Sequence, residues 1–373
     1  MTFVMFPMAR VLGSGNMKRV FNPMLKLALI PHMVFYSWAL WQYLHMNDVV
    51  FPSGSLLCMK DFSMEIGTNR NTVGAYSVSM MVMCLYLIAT EKGWKRILYV
   101  YGVVMYSAVL ILSNCRTSWY TALLVIIAGG ILFMWNHFCD RQLLIRLGSG
   151  VLIAVVGIAL FHWFRSEIFI LMSPAIERAA AETAVPAAAF SSHGFSCVPL
   201  ASSHMAVIPL ASESKAYIRT AGEGLSGREP IFRAAFYVMF HSVYGFLFGV
   251  TPVDVGASMF SHCGVETIYP HAHNFFIQMG IAYGFPCMLI TIAFTISLAV
   301  RSIRLLFSKK RRLPSGYWMI PVVAFSMLAQ DMMEAFLNSG GTLVCVFFYV
   351  FAGWIVATDE EQKAQKQSFI EGG

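Results

Sequence analysis

Long apolar runs separated by short polar breaks dominate the chain. Eight of them approach the roughly 20 residues that a helix needs to cross a bilayer core. They cover 20–44, 72–90, 97–114, 119–138, 147–164, 274–300, 317–337 and 342–357. The pattern predicts an all-α, polytopic membrane protein with about eight transmembrane helices. A ninth run, 231–250, is interrupted by His241 and Ser242 and carries Arg233 in its first turns. It reads as an amphipathic or half-buried helix in preference to a span. The first nine residues, MTFVMFPMA, are apolar but too short to cross. No charged stretch precedes them and no cleavage pattern follows, so they read as the tail of a helix that begins upstream, not as a signal peptide.

Composition narrows the class. Hydrophobic residues make up 58% of the 373 positions and charged residues 12%, against roughly 45–50% and about 25% in soluble domains. Mean hydropathy is +0.65. A soluble enzyme, a disordered chain and a disulfide scaffold are excluded. The net charge of +7 does not call for nucleic acid, because cytosolic loops of membrane proteins collect Lys and Arg.

Charge placement predicts the orientation. With a cytosolic N-terminus, the inner segments hold Arg10, Lys18, Arg19, Lys26, Lys92, Lys95, Arg96, Arg141, Arg146, Arg301, Arg304, Lys309, Lys310, Arg311, Arg312, Lys363 and Lys366, which is 17 of the 26 basic residues. The short outer loops hold Lys60, Arg70 and Arg116. The expected organisation is membrane helices over 1–164, a long extracytoplasmic loop over 165–273, further membrane helices over 274–357 and a cytosolic tail over 358–373. Within the loop, 179–214 is rich in Ala, Ser and Pro and reads as flexible, whereas 225–273 reads as ordered and site-bearing. Eight cysteines are scattered without a CxxC. Only Cys197 and Cys263 share a long polar region, and their pairing is left open.

Five motifs carry candidate chemistry. In Leu225-Ser226-Gly227-Arg228-Glu229-Pro230, either Ser226 or Glu229 caps a helix, and Arg228 beside its free N–H groups makes an anion site. Its bland alternative is a surface arginine. Tyr269-Pro270-His271-Ala272-His273-Asn274 leads into an apolar helix, and histidine suits general-base work near neutral pH. Its alternative is a pair of interfacial histidines with Asn274 as a cap. A zinc site from His262, Cys263, His271 and His273 matches no standard spacing. Gly280 and Gly284 in that helix read as small-residue packing. Ser113-Asn114-Cys115-Arg116 forms a tight outer turn, with snorkelling as the alternative for Arg116. Arg70 sits in the polar stretch before the second run. Asp331 and Glu334 share a helix face with Asn338 inside the seventh run, where carboxylates are costly. A structural role neutralising an outer arginine stays open beside a functional one.

In their order, these motifs resemble the O-antigen ligase and O-antigen polymerase superfamily of bacterial multi-pass glycosyltransferases. The likeness rests on GTNRNTVGAY, LSNCRTSWYTALL, SGREPIF with GFLFGV, and PHAHNFFIQMGIAYGF, covering 67–300. The departures are fewer helices, Arg70 where Pro is common, Gln278 where an acidic residue is common, and the Ala/Ser/Pro insert. The resemblance implies transfer of glycan units from an undecaprenyl diphosphate carrier at the outer face of the cytoplasmic membrane, in surface polysaccharide synthesis. The acceptor is a second glycan or a lipid A core, and no cofactor or metal is used. It implies Arg116, Arg228 and Arg70 for the diphosphate and His273, with Arg228, for catalysis. His271, Asn274, Asp331 and Glu334 would support them. The rival readings are a polysaccharide or lipid transporter or flippase, and a truncated non-catalytic member.

Overall fold

The computed structural model describes residues 18–45, 57–60, 63–66, 70–113, 115–137, 143–183, 228–263, 271–307, 316–332 and 343–371. The helices are α1 (Lys18–His45), α2 (Arg70–Thr90), α3 (Lys95–Leu112), α4 (Arg116–His137), α5 (Leu143–Thr183), α6 (Glu229–Phe240), α7 (Val243–Phe248), α8 (Val255–Cys263), α9 (Phe275–Tyr283), α10 (Phe285–Phe307), α11 (Met319–Asp331) and α12 (Leu343–Glu371). Among the described residues the fold is helical apart from one hairpin, β1 (Leu57–Lys60) with β2 (Ser63–Ile66), paired antiparallel with Leu57 opposite Ile66. Alternating apolar and polar residues around a two-residue connection explain that hairpin. The helical runs alone did not predict it.

Among the described residues, five helices are long and apolar enough to cross a membrane: Asn71–Thr90, Lys95–Leu112, Arg116–Asn136, Leu147–Ile168 and Phe285–Phe307. Their outward faces carry isolated aliphatic side chains such as Ile97 (70% exposed), Leu152 (63%) and Ile290 (69%). Aliphatic faces of this extent suit lipid, not water. The runs at 20–44 and 342–357 lie within α1 and α12. The run at 317–337 gives a helix of 13 residues, α11, which is apolar and shorter.

Two runs end differently from their hydropathy. The fifth continues beyond Phe164 as a helix of 41 residues, although Pro174 lies within it. The run 274–300 is not one helix. Gly284, at φ +95°, ends α9, and the chain folds back so that a Cβ on Gly280 would lie 3.3 Å from the Met288 Cβ. Side chains at these two positions would block that return, which is a stronger demand than ordinary small-residue packing.

The core forms around α2 and α11. Helix α11 packs on α2, α4 and α12, while α2 also packs on α3 and α4. Gly74 lets α2 touch the α3–α4 turn, where a Cβ would come within 2.6 Å of the Cys115 Cβ. Gly130, Gly150 and Gly157 bring α4 and α5 together in the same way.

Helix ends fall into two groups. Lys26 pairs with Glu91, Tyr86 bonds to Asn22, Gly316 abuts Ala89 and Thr90, Trp135 meets Phe307, and Tyr317 meets Trp354. This end also holds Asp359, 1% exposed, which accepts from Arg301 at 3.2 Å, Arg304 at 3.1 Å and Lys363 at 2.9 Å. The Arg116 turn, the histidine turn and the end of α11 lie at the opposite end. Replacing Asp359 by Asn leaves three cations around a neutral buried amide. It is expected to destabilise the detergent-solubilised protein by about 1–3 kcal/mol in thermal melts. Glu360→Gln, which weakens the 3.8 Å contact to Arg301, should melt near wild type. Equal melting of Asp359→Asn and wild type would remove the anchoring role.

Candidate functional site

The α3–α4 turn is knitted by its own short side chains. Ser113 Oγ donates to Leu110 O at 2.7 Å, and the Cys115 backbone N–H donates to Ser113 Oγ at 3.4 Å. Ser118 Oγ donates to Cys115 Sγ at 3.1 Å. Arg116 is therefore the first residue of α4 and half-buried. Trp119 lies three residues on, on the same face, and its indole N–H donates to Leu110 O at 3.1 Å. That bond fixes the ring plane. The Arg165 guanidinium, from α5, lies 4.2 Å over the ring centroid. Arg165 of α5 thus stands over an indole whose helix begins at Arg116.

Arg165 was not among the residues singled out from the sequence. It is the first basic residue after the fifth apolar run, so it could have been grouped with the outer arginines. The 45 positions between it and Trp119 hid the stacking.

The histidine turn is built by helix capping. Asn274 is extended (φ −159°, ψ 126°), and its Oδ1 accepts from the N–H groups of Phe276 at 3.1 Å and Ile277 at 3.2 Å. Its amide donates to Met332 O at 3.2 Å, the residue after Asp331 at the end of α11. Gln278, 4% exposed, reaches back to accept from the buried Ala272 N–H at 2.8 Å. A neutral amide does this without the desolvation that a carboxylate would demand there. The His273 backbone sits at φ +50°, a region that non-glycine residues seldom occupy. Its N–H donates to His271 Nδ1 at 3.2 Å, and the two rings stand 4.1 Å apart. His271 therefore holds the backbone that presents His273.

Arg228 occupies the N-cap position of α6, with Glu229 and Pro230 in the first turn. This differs from the capping expected of Ser226 or Glu229. Ser226 lies outside the described residues, and the Glu229 carboxylate instead accepts from Arg233 at 2.7 Å. A Cβ on Gly280 of α9 would meet Met239 of α6, while Ile231 and Ala234 share a cluster with Ala272. Helices α6 and α9 thus pack together, with Met239 against Gly280.

Asp331 is buried (1% exposed). Gln330 beside it is equally buried, and its amide has no hydrogen-bond partner among the described residues. Arg70 opens α2 at this same end, and its side chain lies outside the described residues. Glu334, Asn338 and Cys197 lie outside them too, as do the side chains of His262 and Cys263. Among the described residues, no group of three His, Cys, Asp or Glu side chains gathers at ligand distance.

No protein-family model, no curated protein and no solved structure matches this chain.

The turn makes two stability predictions. Asn274→Ala loses the cap and the α11 link, for about 1–2 kcal/mol in thermal melts, whereas Asn274→Asp keeps the cap and recovers part of that loss. If both variants melt with wild type, the link does not hold α9 to α11. His273→Gly accepts φ +50° without strain and should melt above His273→Ala by about 1 kcal/mol. The reverse order would show that the backbone there is relaxed.

Proposed function

We propose that the chain is a glycosyltransferase of the O-antigen ligase or polymerase kind, taking its glycan from an undecaprenyl diphosphate carrier. What supports this best is that half-buried Arg116 and Arg165 stand at the same end of the helices as a strained histidine turn. Arginines there offer planar, permanently charged donors to a diphosphate. In the proposed reading eight helices span the bilayer, both termini are cytosolic, and this end faces outward from the cytoplasmic membrane.

The reaction is one displacement. An acceptor sugar hydroxyl attacks the anomeric carbon of the carrier-linked glycan, and the bond from that carbon to the diphosphate oxygen breaks. The electron pair leaves with the lipid diphosphate, whose charge Arg116 and Arg228 offset. The hydroxyl proton passes to the His273 imidazole. His271 positions that ring through its bond to the His273 N–H. Arg70 extends the cationic rim. Asp331, with Glu334 further along the chain, balances the cations.

Arg228→Ala and His273→Ala should each abolish surface polymer in cells that still insert the protein, as read by polysaccharide gels beside membrane immunoblots. His271→Ala should leave a reduced but measurable amount. Normal polymer in the first two variants would overturn the mechanism. Alkaline phosphatase fused near Ser203 should be active and near Lys310 inactive, and the opposite result would overturn the orientation.

A further inference from the structure

From Ala234 to Val253 the chain carries no Asp, Glu, Lys or Arg for 20 residues. The stretch is bounded by Arg233, paired with Glu229, and by Asp254, whose carboxylate accepts from the Thr251 hydroxyl at 2.7 Å. Helix α6 buries Ile231, Ala234, Ala235 and Met239, at the spacing of one helix face. Its opposite face begins with the exposed Glu229–Arg233 pair and is apolar from Phe236 on, with Phe236, Tyr237 and Phe240 exposed by 40–50%. Helix α7 continues this surface with Val243 (77% exposed), Tyr244 (67%) and Phe248 (62%). An ordinary amphipathic helix over water would show polar residues here.

The surface is also joined to a membrane-crossing helix. The Phe285 ring, at the first residue of α10, lies 5.3 Å from Phe240 and 5.3 Å from Phe246. From there the exposed face of α10 runs on through Leu289, Ile290, Ile296 and Ile303, in a helix long and apolar enough to cross a membrane. The chemistry changes along this continuous face, from aliphatic on α10 to Phe and Tyr on α6–α7. Aromatic side chains concentrate where hydrocarbon meets headgroups. Helical segments that lie in that zone bury an apolar face by several ångströms.

We propose that α6 and α7 dock into the bilayer interface through this aromatic face, as a monotopic element beside the crossing helices. The occupant of the face is lipid. Because α6 begins at Arg228, such docking fixes that guanidinium near lipid phosphate depth. The inference goes beyond the proposed transferase activity and stands without it.

The test uses the full chain in nanodiscs of phosphatidylcholine and phosphatidylglycerol, with p-benzoylphenylalanine placed singly at Tyr244, Phe248, Ile296 and Glu229. Ile296 serves as the lipid-facing reference and Glu229 as the water-facing one. After irradiation, mass spectrometry should find lipid adducts at Tyr244 and Phe248 within about two-fold of Ile296 and about five-fold or more above Glu229. Lipid yields at the Glu229 level would overturn the proposal. Adducts mainly to a second copy, or to another segment of this chain, would overturn it too. No readout depends on glycan transfer, so this result and the activity assay fail independently.

Discussion

Ionised side chains are costly in a bilayer core, and that cost sorts the charge of this chain to the two ends of its helices. At one end the charges neutralise each other. Asp359 draws in Arg301, Arg304 and Lys363, and Glu91 pairs with Lys26. With charge removed from the middle, helices approach through glycines and small polar groups. Gly74 meets the α3–α4 turn, and Gly150 lies against Ile131. The polar side chains left in the middle are handled locally. His32 Nδ1 lies 2.8 Å from the Tyr106 hydroxyl, with its ring stacked 4.3 Å from Tyr36. The opposite end differs in kind. There Arg165 lies over the Trp119 indole, the histidine turn is strained, and Asp331 is buried at the end of α11.

Features that depend on one stretch of chain were legible in the sequence. Apolar runs marked the helices, and the near contact of two runs placed Arg116 in a tight turn. The break at His241 and Ser242 did separate two helices, α6 and α7, with Ser242 as the cap of the second. Asn274 was readable as a cap because its side chain serves N–H groups two and three residues on. What needed two distant stretches was hidden. Trp119 and Arg165 meet only because α4 and α5 pack closely. Asp359 looked like part of a solvated tail, although α10 buries it. Gly280 and Gly284 announced close packing, but the positive φ that folds α9 back on α10 has no sequence signature beyond the glycine itself.

The site shows a division of work among neighbouring residues. Asn274 satisfies two N–H groups of α9 and, with its other atom, a carbonyl of α11. Gln278 satisfies Ala272, and His271 satisfies His273. The N–H groups of Ala272, His273, Phe276 and Ile277 thus each meet a side-chain acceptor. A backbone held at φ +50° persists only where its surroundings over-determine it. These bonds are what over-determine it here.

The length of α11 decides where that turn stands. At 13 residues it is about 20 Å long, short of the roughly 30 Å hydrocarbon core. From Gly316 beside Thr90 it rises only to its C-cap, Met332. Asn274 bonds Met332 O and so ties the turn to that helix end. A helix C-terminus carries partial negative charge, which suits an imidazole better than an anion. The short helix therefore gives the histidine turn its seat.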